Sequence, residues 1–250
     1  MIISTISKSN KKQKIIAVIF WLAVWQAVYM LIDRKALFPS PLITLQTLAG
    51  LLVSVEFYKT VFFTLLRILA GFFAGTVFAV ILGALSGKSN TVWFLFKPVV
   101  DVVRATPVAS FIILVLAWIT SGRVPIFIAF LTVVPIVWSN IVEGIRSVDT
   151  KLLEMAEVYE FTPKMKLTKI YIPSVKPYFR SAVITGAGFA FKSGVAAEVI
   201  GSPAFSIGRK LSESKTYLEM DALFAWTIAI IVLSVIFEKL LVHFIGEVKK

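Results

Sequence analysis

The sequence has 250 residues, of which 58% are hydrophobic and 16% are charged, and its mean hydropathy is +0.88. Water-soluble domains are about half apolar and about one-quarter charged, so this composition excludes a soluble globular fold. The net charge of +12 comes from basic residues that cluster beside apolar runs, as expected next to anionic lipid headgroups. Motifs of nucleic-acid readers are missing from the sequence. We therefore expect contact with membrane lipid and no binding of nucleic acid.

Long apolar runs predict several membrane-spanning helices. A helix needs about 20 apolar residues to cross a hydrocarbon layer of about 30 Å. The runs are continuously apolar and do not alternate with period two, which favours helices over a β-barrel. We predict an all-α, polytopic membrane helical bundle of about six spans. The predicted bounds are 15–32, 61–87, 107–121, 124–145, 172–197 and 222–245, and the third run crosses only if it extends back toward Val99.

The first apolar run follows a basic leader, a combination that secretory signal peptides share. The run is long for a signal core, carries bulky aromatic side chains and lacks a small-residue cleavage site, so we interpret it as a span. The bias of lysine and arginine favours cytoplasmic N- and C-termini. We therefore expect a basic cytoplasmic N-terminus at 1–14 and a single transmembrane domain at 15–250.

The segment between the first two predicted spans is apolar but short. It follows Pro39-Ser40-Pro41, and its leucines from Leu42 onward recur at helical spacing as far as Val55. This pattern predicts an amphipathic helix that lies at the outer membrane interface.

Paired glycines in the second predicted span indicate close helix packing. Gly71 and Gly75, followed by Gly83 and Gly87, place small residues four apart on one face, which lets another helix approach closely. The segment that begins at Gly83 also resembles a phosphate-binding loop. That motif needs a glycine five residues before Gly87, where Leu82 stands, and it needs a preceding strand. We therefore expect no nucleotide binding at this segment.

Charged residues inside or near the predicted spans are candidates for a solute path. A charge in the membrane interior costs several kcal/mol, so its side chain faces a bundle interior or water. Arg67 lies about two turns into the second span, where structural and functional roles are equally open. Lys192 and Glu198 bracket the outer part of the fifth span. We expect them to line or gate a path, in which a basic residue would favour an anion.

The residues give no indication of catalysis. His243 is the only histidine and the sequence has no cysteine, so we expect neither a metal site nor a disulfide. No grouping of serine, histidine and acid suggests hydrolysis. We expect no catalytic residue, no metal and no cofactor.

The basic segment from Arg146 to Tyr171 is too polar to span a membrane and lies on the cytoplasmic side in the preferred topology. The sequence of this segment predicts two short helices. An apolar stripe on the first helix could dock into a groove on a partner protein. The segment could equally be a simple connection between two spans. The stripe consists of Leu152, Met155, Ala156 and Tyr159.

The second short helix has a clear start signal. Thr162 is a good N-cap residue before Pro163 at the first helical position. We expect this helix to end near Pro173, because residues ahead of proline disfavour the helical region.

The same segment resembles the EAA loop of bacterial ABC-importer permeases of the binding-protein-dependent type. The family pattern is Glu-Ala-Ala, three residues, Gly, about nine residues, then two aliphatic residues separated by one residue and followed by Pro. The positions that match are Glu154, Ala156, Ile170, Ile172 and Pro173. The resemblance implies that an ATPase docks on Glu154, Met155, Ala156, Tyr159, Glu160, Ile172 and Pro173.

Two residues depart from the family pattern. Met155 stands where alanine is usual, and both residues are good helix formers. Glu160 stands where glycine is usual. A residue other than glycine in a left-handed turn costs on the order of 1 kcal/mol, so either this turn is strained or it is built differently.

Further segments resemble the nitrate/sulfonate/taurine-type branch of that family, namely 37–41, 192–201 and 206–208. The resemblance implies a permease in a bacterial inner or plasma membrane that works by alternating access on a small anion such as a sulfonate, taurine or nitrate. It also implies a homodimer of permeases, two cytoplasmic ATPase subunits that grip the loop at about 147–171, and an extracytoplasmic solute-binding protein. A heterocyclic nutrient such as a thiamine precursor is an alternative solute. A self-sufficient secondary transporter is an alternative mechanism, which would require an acidic coupling-ion site and broken helices in paired halves.

Overall fold

The computed structural model describes residues 11–32 and 37–245. Within these ranges the regular secondary structure is entirely helical, with one π-helical turn at Leu167–Tyr171. The α-helices are α1 (Lys11–Ile32), α2 (Pro41–Val53), α3 (Val55–Lys88), α4 (Asn90–Ala105), α5 (Val108–Leu116), α6 (Val124–Arg146), α7 (Thr150–Val158), α8 (Pro163–Lys166), α9 (Ile172–Gly201), α10 (Ile207–Thr216) and α11 (Met220–Ile245).

The described residues contain 5 helices that are long and apolar enough to cross a membrane, or up to 6 if the bent pair α4 and α5 forms one span. The 5 helices are Ile15–Ile32, Val55–Lys88, Val124–Arg146, Pro163–Gly201 and Met220–His243. The predicted all-α bundle of about six spans is therefore confirmed. These runs differ from the predicted ones mainly at their ends, because helices α3 and α9 extend beyond the apolar core.

The third predicted span is not one straight helix. Helices α4 and α5 meet at an angle of 99° across Thr106 and Pro107. Thr106 is extended, with φ −82° and ψ 130°, because a residue that precedes proline disfavours the helical region. The predicted span at 107–121, extended back toward Val99, is therefore replaced by two shorter helices that meet at a bend.

Helices α3, α6 and α9 pack against one another and form the centre of the bundle. The glycines of α3 allow α6 to approach closely. A Cβ atom on Gly75 would lie 2.9 Å from the carbonyl oxygen of Phe130, and one on Gly83 would lie 2.9 Å from Cβ of Ile141. A Cβ atom on Gly87 would lie 2.8 Å from Cδ1 of Ile145. The sequence prediction that these glycines serve helix packing is confirmed.

Helix α2 occupies most of the predicted amphipathic segment. It begins at Pro41 because the Ser40 side chain accepts the N–H of Ile43 at 3.3 Å. Leu48 and Leu51 pack against a buried cluster that contains Trp226, whereas other leucines of the helix are exposed. The helix is confirmed, but its leucines do not share one buried face.

The turn after α7 adopts the strained alternative considered for Glu160. Glu160 is left-handed, with φ 49°. Its N–H donates to the carbonyl of Glu157 at 3.0 Å, and the N–H of Phe161 donates to the carbonyl of Ala156 at 2.8 Å. This pair of hydrogen bonds is a Schellman motif, in which glycine is the preferred residue at the position of Glu160.

The chain does not leave the helical conformation at Pro173. Thr162 caps α8 as predicted, since its hydroxyl accepts the N–H of Met165 at 3.3 Å. The π-helical turn follows, and the N–H of Ile172 donates to the carbonyl of Leu167, five residues back. Because this turn shifts the hydrogen-bond register, Pro173 falls in the first turn of α9, where its missing N–H costs little. The prediction that the helix ends near Pro173 is therefore wrong.

A buried ion pair joins α3 to α9. Arg67 Nη1 lies 3.2 Å from Glu198 Oε1, and the Glu198 side chain is fully buried. The other carboxylate oxygen accepts the hydroxyl of Thr64 at 2.9 Å and the backbone N–H of Gly208 at 3.3 Å. Each oxygen of the carboxylate thus has a charged or polar partner, as a buried charge requires.

The same ion pair holds the segment that connects α9 to α10. Arg67 donates to the carbonyls of Ala204 and Phe205 at 2.8 and 3.1 Å. The hydroxyl of Thr64 accepts the N–H of Ile207 at 3.0 Å. The start of α10 is therefore fixed to both α3 and α9.

Replacing Glu160 with glycine should raise the apparent melting temperature of the protein in mild detergent. Glycine adopts the left-handed conformation without the steric cost that a Cβ atom imposes, so we expect stabilisation on the order of 1 kcal/mol. Glu160→Ala is the matched control, because it removes the carboxylate and keeps the Cβ atom. Equal melting of the glycine and alanine variants would contradict the assignment of strain.

Replacing Glu198 with alanine should destabilise the protein strongly, because Arg67 would lose its counter-ion and Gly208 its acceptor. Removal of one partner from a buried ion pair costs about 3 kcal/mol or more. Asp101→Ala is the control, because Asp101 forms an exposed pair with Lys97 that should contribute less than about 1 kcal/mol. Thermal unfolding of the two variants in the same detergent provides the comparison, and similar losses would argue against a structural role for the buried pair.

Candidate coupling surface and membrane cavity

The loop between α6 and α9 has a small hydrophobic core of its own. Ala156 is 0% exposed and packs with Val148 and Ile170. Partly buried side chains surround this group, among them Phe161 and Tyr171. Helix α7 is therefore held in a fixed position relative to the start of α9. The side chain of Ala156 supports the loop from inside and has no surface to offer a partner.

The outer side of α7 carries exposed apolar side chains. Tyr159 is 72% exposed, Met155 is 39% exposed, and Leu152 lies beside them on the same stripe. The Glu154 carboxylate is exposed next to this stripe. A rigid, apolar and solvent-accessible stripe with a carboxylate at its edge can dock into a groove on another protein.

The remaining predicted coupling residues lie in the middle of the loop and at its junction with α9. Glu160 occupies the left-handed turn, and Ile172 and Pro173 are exposed in the first turn of α9. An ion pair between Lys166 and Glu157, with 3.6 Å between the atoms, connects the two halves of the loop. The structure thus groups Glu154, Met155 and Tyr159 on one surface, with Ala156 beneath it.

The residues predicted to line a solute path do not form one group. Arg67 and Glu198 pair with each other in the buried contact that holds α10. Lys192 is exposed on α9, with its Nζ atom 6.0 Å from the ring centroid of Phe189. Only Lys192 among these three has a side chain directed away from the packed core.

A cavity of about 260 Å³ lies at the bend between α4 and α5. Arg104 is the only charged residue among the described residues that line it. The Nη2 group of Arg104 donates to the carbonyl of Pro135 at 3.0 Å and to the hydroxyl of Ser139. This site is not among those predicted from the sequence. A signal was available, because Arg104 stands three residues before the X-Pro break at Pro107. The lining residues are Val103, Arg104, Thr106, Val108, Phe111, Ile128, Leu131, Thr132, Pro135, Ile136, Thr185 and Phe189.

Known relatives of the chain are transport permeases. A Bacillus subtilis (strain 168) protein named as an aliphatic sulfonates transport permease, SsuC, is 26% identical over 207 residues, which are 82% of this chain and 74% of the relative. The glycine betaine/carnitine transport permease protein GbuB of Listeria monocytogenes is 29% identical over 196 residues, or 76% and 68% of the two chains. The taurine transport system permease protein TauC of Escherichia coli (strain K12) is 24% identical over 224 residues, which are 87% of this chain and 81% of the relative.

The sulfonate and taurine relatives match the branch that residues 37–41 and 192–201 resemble. The family described as binding-protein-dependent transport system inner membrane components matches residues 75–250, a stretch that contains α7, the cavity and α9. Together with several apolar helices long enough to cross a membrane, this match identifies the chain as a multi-pass membrane protein. It belongs to the family of binding-protein-dependent transport system inner membrane components, the permeases of ABC importers.

Proposed function

We propose that this chain is the permease subunit of an ATP-driven importer, and that the segment 147–171 couples it to separate cytoplasmic ATPase subunits. The observation that carries the proposal is the exposed stripe of Met155 and Tyr159 beside Glu154 on a loop with its own buried core. A stripe that served only to connect two spans would have no reason to be both apolar and held rigidly. ATP is then hydrolysed on the partner chain and not on this one.

The loop can pass motion to the membrane because it is continuous with a spanning helix. Helix α8, the π-helical turn and α9 form one helical run from Pro163 to Gly201. Ala156 and Ile170 pack together, so a displacement of α7 is passed to the start of α9. Helix α9 in turn packs on α6 and α3 at the centre of the bundle. This connection supports alternating access driven by closure of the ATPase subunits.

The proposed assembly contains two copies of this permease, two ATPase subunits and an extracytoplasmic solute-binding protein. The membrane is the inner or plasma membrane of a bacterium, with both termini in the cytoplasm. The bias of lysine and arginine supports cytoplasmic termini, because positive residues favour the cytoplasmic side of a membrane. The same orientation places the coupling segment in the cytoplasm, where ATP is present. Exposed apolar side chains along α4 and α5, such as Val99, Val102 and Ile113, support burial against lipid or a second copy.

We propose a small anion, such as a sulfonate, taurine or nitrate, as the solute. Family membership alone does not select the solute, since one relative is named for glycine betaine and carnitine. The anion is supported by two basic side chains, Arg104 and Lys192, that have no ion-pair partner within the described residues and lie on or near one cavity. A heterocyclic nutrient such as a thiamine precursor is the alternative, and it would place an aromatic ring against Phe111 or Phe189.

A secondary transporter is less well supported than the importer. Such proteins bind coupling ions with acidic groups near the middle of the membrane. The only buried carboxylate in the described ranges is Glu198, and it is already paired with Arg67. The break between α4 and α5 resembles a broken transporter helix, but the described residues contain no second broken pair.

Reversing the charge of Glu154 should release the ATPase from this chain. We expect the tagged wild-type protein, purified from its native membrane in mild detergent, to carry a P-loop ATPase with vanadate-sensitive turnover. Glu154→Arg should lower the recovered ATPase by roughly tenfold or more, because loss of a hydrogen-bonded charge at an interface costs about 2 kcal/mol or more. Quantitative mass spectrometry and an ATPase assay provide the measurement.

Glu219→Arg is the matched control, since Glu219 is also exposed but lies between α10 and α11, away from the loop. This variant should retain the ATPase. Equal recovery from the Glu154 and Glu219 variants would overturn the assignment of the coupling surface. A preparation without any ATPase that still moves solute down an ion gradient would overturn the importer.

A further inference from the structure

We propose that Arg104 binds the anionic group of the transported solute inside the cavity at the bend between α4 and α5. The ligand class is a small oxyanion, with a sulfonate as the reference case. This inference rests on the proposed function, because it names the place in the membrane where a permease for such an anion would hold it. Arg104 is not among the site residues that the sequence predicts.

The guanidinium of Arg104 lies near the middle of a spanning helix. Its hydrogen bonds reach Pro135 and Ser139 of α6. Pro135 is the central residue of Val124–Arg146, so it lies about 17 Å from either end of that helix at about 1.5 Å per residue. A cation at this depth cannot reach the membrane surface, because even an extended arginine side chain is much shorter than that distance.

No carboxylate among the described residues neutralises the charge of Arg104. Among the described residues no carboxylate forms an ion pair with Arg104, and the nearest acid on its own helix, Asp101, pairs with Lys97. Only Nη2 of Arg104 donates to protein groups there, which leaves Nε and Nη1 for another acceptor. A charge in the membrane interior costs several kcal/mol unless water or a counter-ion compensates it. The cavity beside Arg104 has room for such a counter-ion.

The lining of the cavity suits a small molecule with one charged end. Phe111, Phe189 and Val108 supply apolar walls, and Thr185 supplies a hydroxyl group. A volume of about 260 Å³ is below the range of about 300–1,000 Å³ that drug-sized ligands occupy. The Nε and Nη1 groups of Arg104 remain as charged donors, and each can donate a hydrogen bond to an oxyanion. The site therefore fits a sulfonate with a short organic tail.

A second cation lies on the same side of α9 as the cavity. Thr185, Phe189 and Lys192 are spaced four and three residues apart, so their side chains share one helix face. Lys192 lies two turns closer to the α10 end of the helix than Thr185. An anion that enters from that end would pass Lys192 before it reaches Arg104. This order gives Lys192 the path role that its sequence position predicts.

The test uses one introduced thiol in the full-length chain, because the sequence has no cysteine. Thr185→Cys places the thiol at the cavity wall. The protein in lipid nanodiscs is treated either with a methanethiosulfonate reagent that carries a sulfonate or with one that carries a trimethylammonium group. Each reaction forms a mixed disulfide and releases methanesulfinate, and mass spectrometry gives its rate. The ratio of the two rates reports the local charge, because the reactivity of the thiol cancels.

At Thr185→Cys, we expect the sulfonate reagent to react faster than the trimethylammonium reagent. Added ethanesulfonate should slow the reaction of the sulfonate reagent, whereas added tetramethylammonium should not slow it. Arg104→Gln in the same chain should lower the ratio of anionic to cationic rates by roughly tenfold or more, from loss of a charge within a few ångströms. Arg104→Lys should keep most of the ratio, since the charge remains. Thr216→Cys on α10 is the control thiol, and its ratio should not change when Arg104 is replaced.

A ratio at Thr185→Cys that does not respond to Arg104→Gln, or an absence of protection by ethanesulfonate, would overturn the anion site. A thiol that reacts with neither reagent would also overturn it, because the cavity would then be closed to solutes of this size. The reaction requires no ATPase and no receptor. Failure of the anion site is therefore distinguishable from failure of the importer, which the ATPase recovery reports separately.

Discussion

The hydrocarbon interior of a membrane leaves no water for a charge or an unpaired polar group, and this constraint determines where the polar residues of the bundle lie. The chain meets it in two contrasting ways. The Glu198 carboxylate is surrounded by donors from Arg67, Thr64 and Gly208, so it serves as a fixed connection between helices. The guanidinium of Arg104 on α4 contacts the middle of α6, has donors without a partner among the described residues, and lies beside a cavity. The first arrangement holds the structure, and the second is suited to binding a solute.

The two proposed sites are connected through one helical run. Glycines of α3 let it lie against α6, and α9 packs on both. Helix α9 lines the cavity with Thr185 and continues through the π-helical turn into the loop that carries α7. A partner that moves α7 thus acts on the same helix that forms one wall of the cavity. This arrangement gives the proposed ATPase a physical route to the proposed anion site at Arg104.

Hydropathy and short-range stereochemistry were enough to predict much of this architecture. The long apolar runs predict the spans, Thr162 predicts its cap, and the spacing of Gly83 and Gly87 predicts close packing, because each depends on local sequence. The bend at Thr106 and the π-helical turn before Pro173 were not predicted, since a proline pattern does not tell how neighbouring helices compensate for a lost hydrogen bond. The pairing of Arg67 with Glu198 and the cavity at Arg104 bring together residues that are far apart in the chain. A single sequence does not show which distant residues come into contact.

In the proposed importer, transport by this chain is driven by ATP on a partner and not by an ion gradient. The most direct measurement is uptake of radiolabelled taurine or ethanesulfonate by proteoliposomes that contain the permease, its copurified ATPase and its receptor, with and without ATP and with ionophores that collapse all ion gradients. Uptake by the proposed importer should require ATP and should continue when the gradients are collapsed. Uptake that continues without ATP and stops with the ionophores would contradict it.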